Sequence, residues 1–335
     1  SWRARYDDLR LNTAGWMSGL PGCRATIRRY GEFPSRDAWV RYLEDYTAAM
    51  RLRVEYGAAV SRVDRDGAEW VVTGEDGDRR ADVVVVATGP DREPWLPEWP
   101  GSAGFTGELA HAATYRNSGP YRGRDVLVVG ANVSGSEIAH LLVLGGAARV
   151  RVAVRTPPNI ITRKAFGLSV NVTGIALEPL PAVVGDLTCR VVWGVRFGRL
   201  DRFGLPRSPE GVATTIRRRD QAPAYDDGFV ANLKAGRVTV VPAVTGFDRD
   251  DVLLADGSRI RPEAVLAATG YRSGLEPLVG HLGVLDDRGN PLIVGRRQHP
   301  NAPGLYFSGY RQDLTGQLRL MRLDARAIAR AVAMP

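Results

Sequence analysis

The run Val126-Leu127-Val128-Val129 passes directly into Gly130-Ala131-Asn132-Val133-Ser134-Gly135 and then into a helical pattern over Ser134–Leu144. A second apolar strand, Arg149–Arg155, follows, so the segment reads as one βαβ unit. In a dinucleotide fingerprint the first glycine makes the tight turn. The second lets the backbone approach a pyrophosphate, and the third permits close packing of helix on strand. The helix N-terminus then offers unpaired N–H groups and a positive partial charge to the phosphates. Gly130 and Gly135 take the first and third places, with Ser134 and Ser136 beside them. Asn132 stands in the second, where it tolerates a left-handed backbone but adds bulk toward the pyrophosphate. Dinucleotide binding is the expectation, and a structural βαβ turn without a ligand is the alternative. Arg155 lies 20 residues after Gly135 with no carboxylate adjacent, which suits a 2′-phosphate and points to NADPH. An exposed arginine at a strand end is the plainer account.

With 335 residues there is chain enough for two domains with proper cores. The net charge of +8 is almost wholly arginine, since lysine occurs only at 164 and 234. These charges are scattered apart from Arg217-Arg218-Arg219, and no nucleic-acid module is recognisable. Cys23 and Cys189 form no C-x-x-C, which excludes a redox disulfide of the pyridine-nucleotide disulfide reductase kind. Residues 1–30 are charged throughout, without a signal-peptide pattern. The most apolar stretch, Ile175–Val195, is broken by Glu178, Pro179, Pro181, Asp186 and Arg190 and cannot span a bilayer. A cytoplasmic protein is expected. The four histidines form no metal constellation.

Along the chain, Ser35 caps a helix with Trp39, Val40, Leu43, Tyr46 and Met50 at helical spacing. Strands are expected at Val54–Tyr56, Ala58–Val63, Glu69–Thr73 and Val83–Val86. Pro90, Pro94, Pro97 and Pro100 mark an extended linker that is neither helix nor sheet. Residues 156–235 read as irregular. Further strands are expected at Arg237–Val241, Val252–Leu254, Ala264–Ala268 and Leu305–Ser308, and a helix over 317–333.

Before the nucleotide strand the chain reads Phe105-Thr-Gly-Glu-Leu-Ala-His111-Ala-Ala-Thr-Tyr115, that is F-x-G-x-x-x-H-x-x-x-Y. This resembles the identifying sequence of the flavin-containing monooxygenases, which include the YUCCA-type enzymes. Similar stretches continue in order. They are Trp2…Tyr6…Leu9, Phe33-Pro34, Ala87-Thr88-Gly89, Tyr121-Arg122-Gly123-Arg124, Ala268-Thr269-Gly270-Tyr271-Arg272-Ser273 and Gly304-Leu305-Tyr306-Phe307-Ser308-Gly309. Asp201-Arg202-Phe203-Gly204-Leu205 is similar to the YUCCA-type Asp-x-Tyr-Gly-Leu but lacks the tyrosine hydroxyl at Phe203.

The resemblance implies an α/β fold of two Rossmann-like dinucleotide-binding domains. An FAD-type domain over 1–115 and 265–335 would be discontinuous and N-terminally incomplete, with an NADPH-binding domain over 116–264. It implies FAD and NADPH as cofactors and a peroxyflavin that oxygenates a small organic substrate, at a soft nitrogen or sulfur or at a carbonyl or 2-oxo acid, with residues 156–235 shaping access. Asn12 becomes the catalytic candidate, since its amide both donates and accepts hydrogen bonds beside the flavin; a plain turn former is the alternative. YUCCA-type members often carry other residues there, which places the chain nearer the general group. Cofactor contacts are expected from Trp2, Asn12, Thr13, Thr88, Gly89, Gly130, Asn132, Ser134, Gly135, Ser136, Arg155, Thr269, Gly270 and Gly309. His111 and Tyr115 are expected to pack rather than to transfer protons. The partners implied are substrate and molecular oxygen, with no nucleic acid and no membrane, and with a homodimer left open. The family's first FAD-binding βαβ portion would precede Ser1. A start-site error or truncation, its removal with loss of FAD, and true absence are the three accounts. A non-catalytic NADPH-binding scaffold or sensor and an NADPH-dependent flavin reductase or oxidase are the rival functions.

Overall fold

Alternation along Val126–Val129 sends successive side chains to opposite faces of a sheet, and both faces are covered. The computed structural model describes residues 2–23, 27–165 and 167–333. It contains a parallel five-stranded sheet built from β1 (Glu108–His111), β2 (Asp125–Val129), β3 (Arg149–Ala153), β4 (Val238–Val241) and β5 (Ala264–Ala267). Their spatial order is β4-β3-β2-β5-β1. Val126, Val128 and Leu266 pack on one face with Ile138, Ala139 and Leu142 of helix α1 (Val133–Leu144). Leu127, Val129 and Val265 pack on the other with Phe247, Val252 and Leu254 of an antiparallel meander. Each fully buried Leu or Ile contributes about 1.5–3 kcal/mol, so α1 is held by its apolar stripe and not by propensity. The chain leaves β2 on one side through α1 into β3, while β5 lies on the other. That reversal makes a crevice beyond the carboxyl ends of β2 and β5.

The chain divides into two compact units. Unit 1 holds the segment ending at Asn12, Trp95–Gly270 and Gln312–Thr315; unit 2 holds Thr13–Pro94, Tyr271–Arg311 and the chain from Gly316 onward. These boundaries differ from the 115/116 and 264/265 cuts expected from sequence. β1, inside the identifying sequence, is a strand of the five-stranded sheet, which draws residues 95–115 into unit 1.

Unit 2 contains the helix Arg36–Ala49, whose cap Ser35 accepts from the Ala38 N–H at 3.3 Å. Its buried residues are Ala38, Trp39 and Tyr42, while Met50 is exposed. Val60–Asp66, Glu69–Gly74 and Gly77–Ala81 form the meander. Val84–Val86 pairs in parallel with Leu305–Phe307. Fully buried Trp70 joins Val86, Leu305 and Phe307 in one core, and Val85 is left half exposed.

Three expectations are corrected. Val54–Tyr56 lies outside any strand and Tyr56 is 86 % exposed, because a strand exists only where a neighbour completes its ladder. Within the proline linker Glu93–Pro94 pairs with Tyr271–Arg272, as a proline carbonyl still accepts at a sheet edge. Residues 156–235 are largely helical, with α2 (Val170–Leu177), α3 (Ala182–Phe197) and α4 (Val212–Arg219). Val183, Leu187, Val191 and Val195 stay exposed on α3, so its apolar residues run round the helix and blur the 3.6-residue period.

Candidate functional site

The turn after β2 is built on two glycines that admit no side chain. Gly130 has φ 101°, and a Cβ there would lie 2.7 Å from the Ala268 carbonyl oxygen. At Gly135 a Cβ would lie 1.9 Å from the carbonyl oxygen of Gly130, so the first turn of α1 rests directly on the loop backbone. Asn132 is not left-handed. Its φ of −79° and ψ of −159° make it the extended N-cap of α1, with no capping bond from its side chain. A side chain is therefore accommodated in the second place without strain, and the amide remains open to a ligand. Ser134 is half-buried in the first turn. Ser136 is buried, and its hydroxyl donates to the Asn132 carbonyl at 2.9 Å, which turns it into the fold.

Beside this turn, β5 runs into Ala268-Thr269-Gly270. The Thr269 hydroxyl donates to the Trp95 carbonyl, and Gly270, at φ 95°, has open space where a Cβ would stand. The Gly270 carbonyl accepts from Trp95 N–H at 3.1 Å and from His111 Nε2 at 2.9 Å. His111 Nδ1 accepts from the Ala113 N–H at 3.0 Å. Burial holds this imidazole below its usual pKa, and one donor with one acceptor is the bonding of the neutral ring. His111 is thus a fixed strut. Arg155 lies two residues past the end of β3, exposed, with no hydrogen bond or ion pair among the described residues.

In unit 2 the parallel strands Val84–Val86 and Leu305–Phe307 end side by side, with the Ser308 N–H donating to the Val86 carbonyl at 3.0 Å. Gly89 (φ 78°) and Gly309 (φ 88°) follow their ends, and Thr88 Oγ1 bonds the Tyr310 hydroxyl at 2.8 Å. A Cβ on Gly89 would meet nothing within 4 Å, whereas one on Gly309 would press on Met321. Thr13 is buried, and Gly316 leaves room for it, since a Cβ there would lie 2.5 Å from Thr13 Oγ1. Asn12 ends the unit 1 segment that starts with the short turn Trp2–Ala4. Its Oδ1 is buried and has no hydrogen-bond partner among the described residues. Such an acceptor costs stability unless something donates to it.

These residues fit both cofactors implied by the resemblance. A pyrophosphate finds a glycine turn at the N-terminus of a 12-residue helix, at the switch point of a parallel sheet. A second nucleotide finds open backbone at Gly89, beyond the carboxyl ends of a parallel pair. Sequence reasoning did not single out Glu137, which is buried in α1 just beyond the fingerprint. Its one signal was a lone charge among the inward residues of an apolar helix.

A nicotinamide-dependent flavoprotein fold is the class that this arrangement defines. The family model for pyridine nucleotide-disulphide oxidoreductases matches residues 20–184. Cys23 and Cys189 are both free, and burial pushes the Cys189 thiol up to about 11. Indole-3-pyruvate monooxygenase YUCCA1 of Oryza sativa subsp. japonica is 32 % identical over 321 residues, covering 93 % of this chain and 78 % of that one. Probable indole-3-pyruvate monooxygenase YUCCA3 of Arabidopsis thaliana is 28 % identical over 346 residues, covering 99 % and 78 %. Flavin-containing monooxygenase from Stenotrophomonas maltophilia has the same fold, with a TM-score of 0.70 at 22 % identity over 99 % of this chain and 87 % of that one. The chain belongs to the flavin-containing monooxygenase family and is an NADPH- and FAD-dependent monooxygenase. Among the described residues no helix is long and apolar enough to cross a membrane.

Proposed function

We propose that NADPH lies across the carboxyl ends of β2 and β5, that unit 2 holds FAD at Thr88, Gly89 and Gly309, and that the substrate is an apolar 2-oxo acid. The observation that carries the nucleotide assignment is the turn Gly130–Gly135, where two backbone approaches exclude any side chain at the mouth of α1. The substrate class is supported by the indole-3-pyruvate in the names of the plant relatives. It is supported as well by a cavity of about 600 Å³ in unit 1, lined by Leu177, Leu180, Ala213, Ile216 and Leu314. Sites for small organic molecules fall in this size range. Arg217 at the same cavity donates to the carbonyls of Leu180 (2.8 Å) and Glu178 (3.3 Å), and its remaining N–H groups suit a carboxylate. A cytoplasmic setting is part of the proposal, supported by the two free cysteines.

When bound, FAD and NADPH supply the electron transfer and the oxygen activation. The chain binds and orients. The first N–H groups of α1 and its positive end hold the pyrophosphate, and Asn132 adds an amide at the same point. Arg155 pairs with the 2′-phosphate. Asn12 offers an acceptor and a donor to the ring system without changing charge.

The direct test is substrate-stimulated NADPH oxidation by FAD-loaded protein, comparing indole-3-pyruvate with a tertiary amine and a thioether. Stimulation by the 2-oxo acid with stoichiometric oxygenated product is expected. Turnover of the amine or thioether alone removes the substrate assignment. Asn12→Ala should release about tenfold more peroxide per NADPH consumed, the effect of one lost hydrogen bond, while the NADPH KM changes less than about twofold. Unchanged coupling takes Asn12 out of the site.

A further inference from the structure

Leu314 sits in a turn outside any helix or strand, within the segment Gln312–Thr315 of unit 1, and it lines the same cavity as Arg217. Side chains on loops ordinarily move with the loop. This one is pinned. The Gln312 N–H donates to Asp220 Oδ1 at 2.8 Å, and Asp220 is the left-handed C-cap of α4, at φ 52°. The Thr315 N–H donates to Asp313 Oδ1 at 2.7 Å, closing the turn on itself. The Leu314 carbonyl accepts from Asn171 Nδ2 of α2 at 3.1 Å. Asn171 is fully buried, and its Oδ1 accepts from the Ser169 hydroxyl at 3.2 Å, which fixes the orientation of the amide. Three residues further along α2, a Cβ on Gly174 would lie 2.7 Å from the Leu314 carbonyl oxygen and 2.8 Å from its carbon. The two backbones lie together with no room for a side chain between them.

Leu314 is therefore held against α2 by close contact and by a hydrogen bond, and it leaves only by stranding a buried amide. Its side chain packs with Ile161, Val212 and Ile216, and Ile216 precedes Arg217 on α4. The cavity thus carries one charged anchor and one apolar wall of fixed position. We infer that Leu314 is a specificity-determining residue, limiting the size of the apolar group that a 2-oxo acid carries, and that Asn171 is the positioning residue that holds it. This role rests on the reading of the cavity given above. A fixed wall selects by volume, because a packed site does not swell to admit extra atoms. One methylene more or less changes discrimination by about 10- to 200-fold. The carboxylate end, common to every 2-oxo acid, falls to Arg217 and carries no information on size.

Calorimetric titration of the FAD-loaded protein with pyruvate, phenylpyruvate and indole-3-pyruvate tests this, the readout being the affinity ratio of indole-3-pyruvate to phenylpyruvate. Leu314→Ala should raise that ratio about tenfold and Leu314→Phe should lower it about tenfold, the effect of about one methylene of room. Pyruvate, too small to reach the wall, should change less than about twofold in both. Asn171→Ala should raise the ratio about fivefold, the effect of one lost hydrogen bond. In a Leu314→Ala background it should add less than about twofold, because Asn171 acts through Leu314. An amide with a merely structural role would lower the thermal midpoint and leave the ratio alone. Ser169→Ala, which frees the Asn171 amide without removing it, should shift the ratio the same way and serves where Asn171→Ala does not fold. Arg217→Ala should weaken all three acids about tenfold with the ratio unchanged. Ratios within about twofold of the unaltered protein in both Leu314 variants overturn the wall. An unchanged ratio in the Asn171 and Ser169 variants, or additive effects in the double variant, overturns the role of Asn171. If no acid binds, or Arg217→Ala weakens none, the reading of the cavity falls and the wall with it. If Arg217→Ala weakens all three while the ratio ignores Leu314, the wall alone falls.

Discussion

Gly135→Ala is expected to remove NADPH binding and to destabilise the protein by about 3 kcal/mol or more, the upper range for forcing an atom into a packed site. The added methyl would sit 1.9 Å from the Gly130 carbonyl oxygen, 2.8 Å from the carbonyl carbon and 3.3 Å from the Ala268 methyl. Two of these three neighbours are backbone and cannot rotate aside. Helix α1 would have to lift from β2, parting Ile138, Ala139 and Leu142 from Val126 and Val128. The same displacement withdraws the helix N–H groups from the pyrophosphate, so both losses share one cause. Urea denaturation together with calorimetric titration of NADP⁺ would check it. A Gly135→Ala protein with unaltered midpoint and affinity would show that α1 does not rest on the turn as described.

The second large effect is one of discrimination without a stability cost. Arg155→Ala should weaken NADPH about 100-fold, or about 2.7 kcal/mol, through loss of a charge-assisted phosphate contact. NADH, with no 2′-phosphate, should change less than about threefold. Arg155 is exposed and makes no ion pair or hydrogen bond among the described residues, so stability should stay within about 0.5 kcal/mol. Steady-state kinetics with both coenzymes decides it. Equal losses for NADPH and NADH would refute the phosphate assignment.

The nucleotide strand, its turn and its helix were legible because each signal is local. Val126–Val129 is an uninterrupted apolar run, Gly130 and Gly135 mark the places where backbone meets backbone, and Ser35 announces a helix start by its capping oxygen. Strand β1 was not legible, because Glu108–His111 becomes a strand only through β5. Val54–Tyr56 failed for the converse reason: it has the composition of a strand, but no ladder forms on it. Helices α2 and α3 escaped notice since glycine, valine and threonine make up half of each and tertiary packing overrides that weak propensity. At Asn132 the tolerance of asparagine for a left-handed backbone proved irrelevant, as the position is extended.

Read alone, the chain of residues settled the strand–turn–helix of the dinucleotide fingerprint and the family resemblance, both carried by spacings of a few residues. Folding settled which side chains lie open. It turned the Ser136 hydroxyl inward, left Asn12 Oδ1 buried without a donor among the described residues, and set the Tyr6 ring edge-on to Tyr115, far along the sequence. Burial and hydrogen-bond satisfaction depend on neighbours brought from distant parts of the polypeptide, and no periodicity within a single segment encodes them.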